Sequence, residues 1–369
     1  MKAIIIGGGV GGLTAALALK KIGVEVDVYE QTESPRAAGA GLSLWANAVR
    51  ALNYLNPAIL QEHVTVSGTI RRQDGIPLSS MNTDTLKERY GSPTIVVHRE
   101  DLMNALLTET GDIVRYGKRL ARYEGTTAMF KDGSYARGDI LIGADGIHSL
   151  VRKQMHPDSQ PVYRGYAAWR CVVDFPHDQV KGMWGESFGK GSRFGLVPLT
   201  NGRIYCYATA NRPQNTPPDD HKATMLALFG NWHHPIKQVI QAMPDEEILY
   251  NDISDIEPLP YWVDGQTVLL GDAAHAMTPN MGQGACQAIE DGVILAQMLN
   301  KHATIKDALE AYQKVRIPHT RKVVLRSRSI GQMGQQTNPV IITVRNQLMR
   351  LIPSGITLNQ LDFVLANQF

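Results

Sequence analysis

Residues 2–30 read KAIIIGGGVGGLTAALALKKIGVEVDVYE, and this stretch decides the fold. Lys2 to Gly7 is an apolar, isoleucine-rich strand. Gly12 to Lys21 then places Leu13, Ala16, Leu17 and Leu19 at helical spacing. Gly23 stops the helix, and Val24, Val26 and Val28 form a second strand ending at Glu30, which completes a βαβ unit. Between the first strand and the helix lies Gly7-Gly8-Gly9-Val10-Gly11-Gly12, which fits GxGxxG through Gly7, Gly9 and Gly12. In that position the backbone amides of a helix start can face a pyrophosphate. Glu30 follows Gly12 by 18 residues, where a carboxylate can accept ribose hydroxyls. The unit therefore predicts adenine-dinucleotide binding.

Composition narrows the classes. The chain has 369 residues, enough for two domains or one large elaborated domain. With 37 basic against 35 acidic residues the formal charge is +2, too small overall to grip nucleic acid or an anionic membrane. Charged residues at 20% and hydrophobic ones at 43% fit an ordinary globular protein. Cys171, Cys206 and Cys286 form no CxxC pair, so no redox dithiol or zinc knuckle is signalled. No metal is expected: the adjacent His233 and His234 point apart in either secondary structure. The apolar opening is too short for a signal peptide, and no stretch is long enough for an integral membrane span. A cytoplasmic location is the expectation. Oligomeric state is not written in the sequence.

The middle of the chain has another character. Tyr166–Asp174, Ser192–Leu199 and Arg203–Ala210 are strand-like, and Asn201-Gly202 joins the last two as a hairpin. An antiparallel sheet is expected over roughly 155–260. After the strand Val268–Leu270 the chain turns helical, over Gln283–Leu299 and Ile305–Ser329, with Pro318 as a kink.

Two further motifs carry chemistry. Leu269-Leu270-Gly271-Asp272-Ala273-Ala274-His275 ends a strand in a carboxylate, and Pro279 and Gly282-Gln283-Gly284 open the next helix. Asp272 could bind polyol hydroxyls such as ribityl, while the amides of Gly282 to Gly284 would face a ring able to carry negative charge. Gly143-Ala144-Asp145-Gly146 ends another apolar strand, with Ser149 and Arg152 following.

Together the three motifs resemble the single-component, FAD-dependent aromatic hydroxylases, the p-hydroxybenzoate hydroxylase superfamily, over the chain to about residue 330. The resemblance implies an α/β fold: a Rossmann-type FAD-binding domain with an inserted antiparallel-sheet substrate domain and a C-terminal helical segment. Residues 1–70, 98–155 and 265–330 would form the discontinuous FAD-binding domain, 71–97 and 156–264 the substrate domain, and 331–369 the helical segment. By the same likeness Gly7, Gly9, Val10, Gly11, Gly12, Glu30 and Gln31 would meet the adenosine diphosphate end. Arg99 would meet the phosphate or ribityl region and Asp272 the ribityl. Ser43 in the 39–43 loop, Leu120, Asp145, Gly271, Pro279, Gly282, Gln283 and Gly284 would complete the cofactor set.

Such an enzyme takes hydride from NAD(P)H onto FAD, reacts the reduced flavin with O2, and passes one oxygen from a C4a-hydroperoxyflavin to a small aromatic or heteroaromatic substrate. No second GxGxxG is present, so the nicotinamide would lack a domain of its own. Arg193 and Tyr205 on the hairpin are the expected catalytic, substrate-side residues: an arginine to hold an anionic ring and a tyrosine to relay a proton. The Arg-Phe-Gly-Leu-Val-Pro and Gly-Arg-Ile-Tyr stretches resemble the urate hydroxylase branch. Trp169 and Arg170 are next in line. A flavin oxidase or desaturase on the same scaffold, and a non-catalytic protein of the GDP-dissociation-inhibitor kind, are the competing readings. Elsewhere, Cys286 reads as packing, His275 as locked to a backbone carbonyl, Met277 and Met281 as pocket wall or filler. Arg321, Arg326 and Arg328 read as a solvated or interdomain helix face.

Overall fold

The computed structural model describes residues 1–35, 40–65, 67–352 and 358–366. Gly39, the first residue of the 39–43 loop, and the segments 353–357 and 367–369 lie outside the described residues. Strand β1 (Lys2–Ile6) runs into helix α1 (Val10–Lys21) and returns as β2 (Glu25–Tyr29). β1 pairs in parallel with β2 on one side and with β12 (Ile140–Gly143) on the other; Ile5 opposes Val28 and Ile142. β8 (Val114–Arg115) and β19 (Thr267–Leu269) extend the parallel set, and β18 (Val263–Asp264) adds an antiparallel edge. Ala3 to Ile6, Ile140 to Ile142 and Val268 to Leu270 are buried throughout, as strands covered on both faces must be.

Helix α9 (Gly284–Lys301) packs along α1, and they touch where glycine permits it. A Cβ on Gly292 would lie 2.7 Å from the Ala15 backbone nitrogen. Smaller antiparallel sheets flank this unit. One joins β9 (Leu120–Glu124), β10 (Thr127–Phe130) and β11 (Tyr135–Arg137); the other joins β3 (Gly41–Leu44), β7 (Ile95–His98) and β4 (Val64–Thr65).

The second large sheet has seven strands in the order β17-β13-β16-β15-β14-β5-β6: Leu249–Asp255, Val162–Asp174, Arg203–Asn211, Ser192–Pro198, Gly185–Phe188, Gly68–Arg72 and Pro77–Met81. The hairpin forms as read: Asn201 and Gly202 have φ of 58° and 73°, and Arg193 opposes Thr209 while Val197 opposes Tyr205. The expectation of an antiparallel sheet needs one correction, because β14 pairs with β5 in parallel. β5 arrives from far upstream, and a sheet edge accepts either direction. Side chains alternate between faces. Trp169, Cys171, Phe194, Leu196, Ile204 and Cys206 pack on α6 (His221–Phe229) and α7 (Ile236–Ala242) as a second core. Cys171 and Cys206, distant in sequence, stand opposite each other as free thiols. Burial pushes the Cys171 thiol up to about 12. The opposite face carries Arg170, Arg193, Tyr205, Tyr207 and Thr209.

Helix α10 spans Ile305–Gly334, with Pro318 inside a continuous helix and five residues more than expected at its end. Its Arg316 is buried against α9 with Asp291 and Glu290, at 2.6 and 3.2 Å. His319, one turn on, is 3.8 Å from Glu290 and largely buried. Burial, reinforced by the charge of Arg316, lowers its pKa to about 4 against a usual 6.5. A histidine depressed in the fold is neutral there while the unfolded chain takes up a proton. Its contribution is complete above pH 6.5 and is lost as pH falls toward 4, up to about 3 kcal/mol. Denaturant unfolding at pH 7.5, 6, 5 and 4 should show wild type losing more stability across that window than His319→Gln; parallel curves would refute the assignment.

Candidate functional site

The fingerprint turn is shaped by contact rather than by flexibility. Gly7 has φ +111°, and a Cβ there would lie 2.3 Å from the Ala144 carbonyl oxygen. A Cβ on Gly12 would lie 2.0 Å from the Gly7 carbonyl oxygen. Among the described residues nothing lies within 4 Å of the Gly9 Cβ position. Gly9 is also the N-cap of α1 with no side-chain cap, and the amides of Gly9, Val10, Gly11 and Gly12 have no partner among the described residues. Glu30 closes the turn: its carboxylate accepts from the Gly8 amide at 2.8 Å and the Thr32 amide at 3.0 Å. Gln31 follows it on the surface.

The third motif comes to the same cleft. Leu270 donates its amide to the Gly143 carbonyl, and Gly271, at φ +60°, turns the chain into the short helix α8 (Asp272–His275). The Asp272 side chain is solvent-accessible and makes no hydrogen bond among the described residues. It sits deep between protein walls, so desolvation raises its pKa against the pull of His275, Arg99 and Arg152. Arg99 begins α4 (Arg99–Thr110) with its side chain exposed and unpartnered among the described residues.

Helix α9 also starts here without a side-chain cap. Of the three amides expected to face a ring, Gly282 is otherwise engaged: it donates to the Pro279 carbonyl at 3.0 Å, the bond that closes its left-handed turn. Gln283 and Gly284 keep unpartnered amides among the described residues. The Gln283 side chain points inward, accepting from Asn47 at 3.1 Å and Gln287 at 3.0 Å. Ser43 and the buried indole nitrogen of Trp45, which has no hydrogen-bond partner among the described residues, border Gly282. Cys286 packs beneath them, next to the Ser43 carbonyl oxygen.

Other expected residues serve the frame. Asp145 accepts from the amides of Leu150 and Val151 and from the Ser149 hydroxyl, fixing the start of α5 (Leu150–Met155). Arg152 on α5 is buried and donates to the Ala273 carbonyl at 3.2 Å, tying the second motif to the third. Leu120 packs in the main core. His275 is not locked to a carbonyl: its Nε2 lies 2.6 Å from Asp291 Oδ2, which also accepts from the Gly271 amide at 2.9 Å.

The free face of the seven-stranded sheet closes over this cleft. A Cβ on Gly41 would lie 2.6 Å from the Tyr205 ring, so the hairpin rests on β3. Arg193, 3% exposed, already has three partners: Gln335 at 3.1 Å, Asn280 at 2.7 Å and Glu186 at 3.2 Å. Asn280 belongs to the loop of the third motif. The sequence reading missed Asn280, Gln335, Asp291 and Arg316. Only Glu290-Asp291, charged in an otherwise apolar helix stretch, signalled a buried pair.

Residues 1–327 match a family model described as an FAD binding domain. The chain belongs to the FAD-dependent aromatic hydroxylase family. It is 39% identical to an aurachin C monooxygenase/isomerase of Stigmatella aurantiaca, covering 95% of this chain and 94% of the other. It is 36% identical to an FAD-dependent urate hydroxylase of Klebsiella pneumoniae, covering 89% of each. The crystal structure of Klebsiella pneumoniae HpxO complexed with FAD and uric acid superposes with a TM-score of 0.93 at 32% identity, covering 100% of this chain and 97% of that one.

FAD fits the groups present. Two uncapped helix starts offer amides to anionic or electron-rich atoms, Gly9 leaves room for close approach, and Arg99 and Asp272, without side-chain partners among the described residues, bring opposite charges near one another. Removing Asp272 deletes a charge-assisted acceptor worth about 1.5–3 kcal/mol, hence about 10- to 100-fold in affinity. Asp272→Ala should therefore purify depleted of flavin with unchanged thermal stability of the apoprotein. Wild-type flavin occupancy and affinity in that variant would contradict the site.

Proposed function

We propose that the chain is an NAD(P)H-dependent monooxygenase that hydroxylates a small aromatic or heteroaromatic ring with O2. FAD, when bound, supplies hydride acceptance and oxygen activation. The amides of Gly9 to Gly12 would take the pyrophosphate, Glu30 and Gln31 the ribose, Arg99 and Asp272 the ribityl region, and Gln283 and Gly284 the ring. The observation that supports the reading is the roof: the sheet face bearing Tyr205, Tyr207 and Arg193 meets β3 at Gly41 and the third-motif loop at Asn280. With FAD bound, such a roof would exclude water and would offer its tyrosines to a planar substrate, as oxygen transfer requires.

The roof groups are tuned by burial. Tyr205 is raised above the usual phenol range by desolvation, with Arg170 pulling the other way. Tyr207 bonds to Glu186, whose own pKa burial raises despite the nearby Arg193. Tyr205 thus keeps its proton, and its hydroxyl would be available to donate to a phenol-like or urate-like oxygen. Arg193, held by Asn280 and Gln335, supplies a fixed positive charge and ties the roof to the third-motif loop. The relatives named for urate and aurachin C favour a nitrogen heterocycle as the ring.

The test is coupling. Arg193→Gln or Tyr205→Phe should leave FAD content unchanged, while hydroxylated product per NAD(P)H falls and H2O2 rises. A ring displaced by about 1 Å can cost on the order of a hundredfold. Screening nitrogen heterocycles for those that accelerate NAD(P)H oxidation supplies the substrate. Wild-type coupling in both variants would remove these residues from the substrate site, and oxygen uptake without NAD(P)H would replace the monooxygenase with an oxidase.

A further inference from the structure

One side chain of the third-motif loop has unusually many partners. Asn280 sits in the short turn Pro279–Met281, just ahead of Gln283 and Gly284. Its side-chain oxygen accepts from the Arg193 guanidinium at 2.7 Å and from the Tyr166 hydroxyl at 3.3 Å. Its amide nitrogen lies 2.8 Å from the Thr278 hydroxyl, 2.9 Å from the Ser327 carbonyl oxygen and 3.0 Å from the Tyr166 hydroxyl. An asparagine amide offers two donors and two lone pairs, so both ends are fully used. The loop, the roof strands β13 and β15, and helix α10 thereby share one group.

Helix α10 is shaped to receive this group. A Cβ on Gly331 would lie 2.4 Å from the Asn280 amide nitrogen, and one on Gly334 would lie 2.9 Å from Arg193 Cδ. Neither glycine has the positive φ that would otherwise call for one, so what glycine supplies at both positions is room for these two side chains. Arg193 is committed elsewhere: Gln335, itself bonded by Thr209 at 3.2 Å, accepts its Nε, and Glu186 is its ion-pair partner. Its hydrogen bond to the cofactor loop is the one to Asn280. Beyond Asn280 the loop is stiff, because the Gly282 amide is bonded to the Pro279 carbonyl, and the next two amides are those left unpartnered among the described residues, Gln283 and Gly284. A shift at Asn280 therefore moves both.

We infer that Asn280 is a positioning residue for oxygen transfer: it fixes the amides of Gln283 and Gly284 relative to the roof, and Arg193 acts on the reaction through it. The inference rests on the chain being a monooxygenase with the ring of FAD at those two amides. A substrate seated on the roof and a flavin ring seated on the loop meet at a distance that this contact sets, and an error of about 1 Å there can cost on the order of a hundredfold. Amides aimed at the ring also favour negative charge on it, so their placement bears on how readily the flavin is reduced.

Arg193→Gln, Asn280→Ala and the double variant are compared with wild type as FAD-loaded enzymes. Asn280→Ala should keep wild-type FAD content while its flavin midpoint potential falls. With uric acid, 4-hydroxyquinoline and aurachin C as the rings, hydroxylated product per NAD(P)H should drop by up to about a hundredfold in each single variant, with H2O2 rising to match. The double variant should be no worse than the poorer single one, because two residues acting along one path are not additive. Gly331→Ala, which displaces the Asn280 amide from the side of α10, should reproduce both changes and replaces Asn280→Ala should that variant not fold. An unchanged midpoint potential overturns the inference, since the amides have then not moved. Losses that multiply in the double variant overturn the path from Arg193 through Asn280. Wild type that hydroxylates none of the three rings counts instead against the monooxygenase reading, and the midpoint potential alone then decides the placement of the loop by Asn280.

Discussion

The arrangement of the site depends on one carboxylate buried between two helices. Asp291 is fully buried, and burial by itself would raise its pKa; Arg316 and His275 outweigh this and hold it below the usual range. One oxygen takes Arg316, the other takes the Gly271 amide and His275. The turn that presents Asp272 is thereby bonded from beneath. Arg316 also donates to Gln287 at 2.7 Å, Gln287 bonds Gln283, and Gln283 is bonded by Asn47. A single ion pair thus reaches both the carboxylate of the cleft and the start of α9. Breaking such a pair by removing one partner typically costs 3–5 kcal/mol, because the remaining charge stays buried.

Around that pair the three motifs meet at the carboxyl ends of adjacent parallel strands, where open α/β sheets bind ligands. Gly7 rests on Ala144, Leu270 bonds Gly143, and Arg152 bonds the carbonyl of Ala273. The roof is attached separately, through Tyr205 against Gly41 and Arg193 to Asn280. Further ties hold the sheet to the same frame: Tyr166 bonds Asn280, Arg203 pairs with Asp101, and Arg328 of α10 pairs with Asp255.

What was legible in the sequence was local. The βαβ unit, the Asn201-Gly202 hairpin and the strand before Asp272 each carry their period and their turn chemistry within about ten residues. What was not legible required partners far apart in the chain. The parallel pairing of β14 with β5 and the facing of Cys171 and Cys206 depend on sheet order. The cage around Arg193 draws on four elements, so its residue type announced a charge and not where that charge is spent. Gly282 shows a finer limit: glycine spacing marked the loop, while the use of its amide to close a turn depends on backbone angles. Residues 331–369 were legible only as a helical segment; which face of the helix Pro339–Leu351 is covered depends on its neighbours in the fold.

Asp291 holds the turn that presents Asp272 from beneath, through the Gly271 amide and His275. Titrating apoprotein Asp291→Asn with FAD, followed by quenching of flavin fluorescence and with folding monitored by circular dichroism, tests it most directly. The account predicts a folded protein whose FAD dissociation constant rises at least about tenfold, the loss of roughly 1.4 kcal/mol. A folded Asp291→Asn protein that binds FAD with wild-type affinity would contradict it.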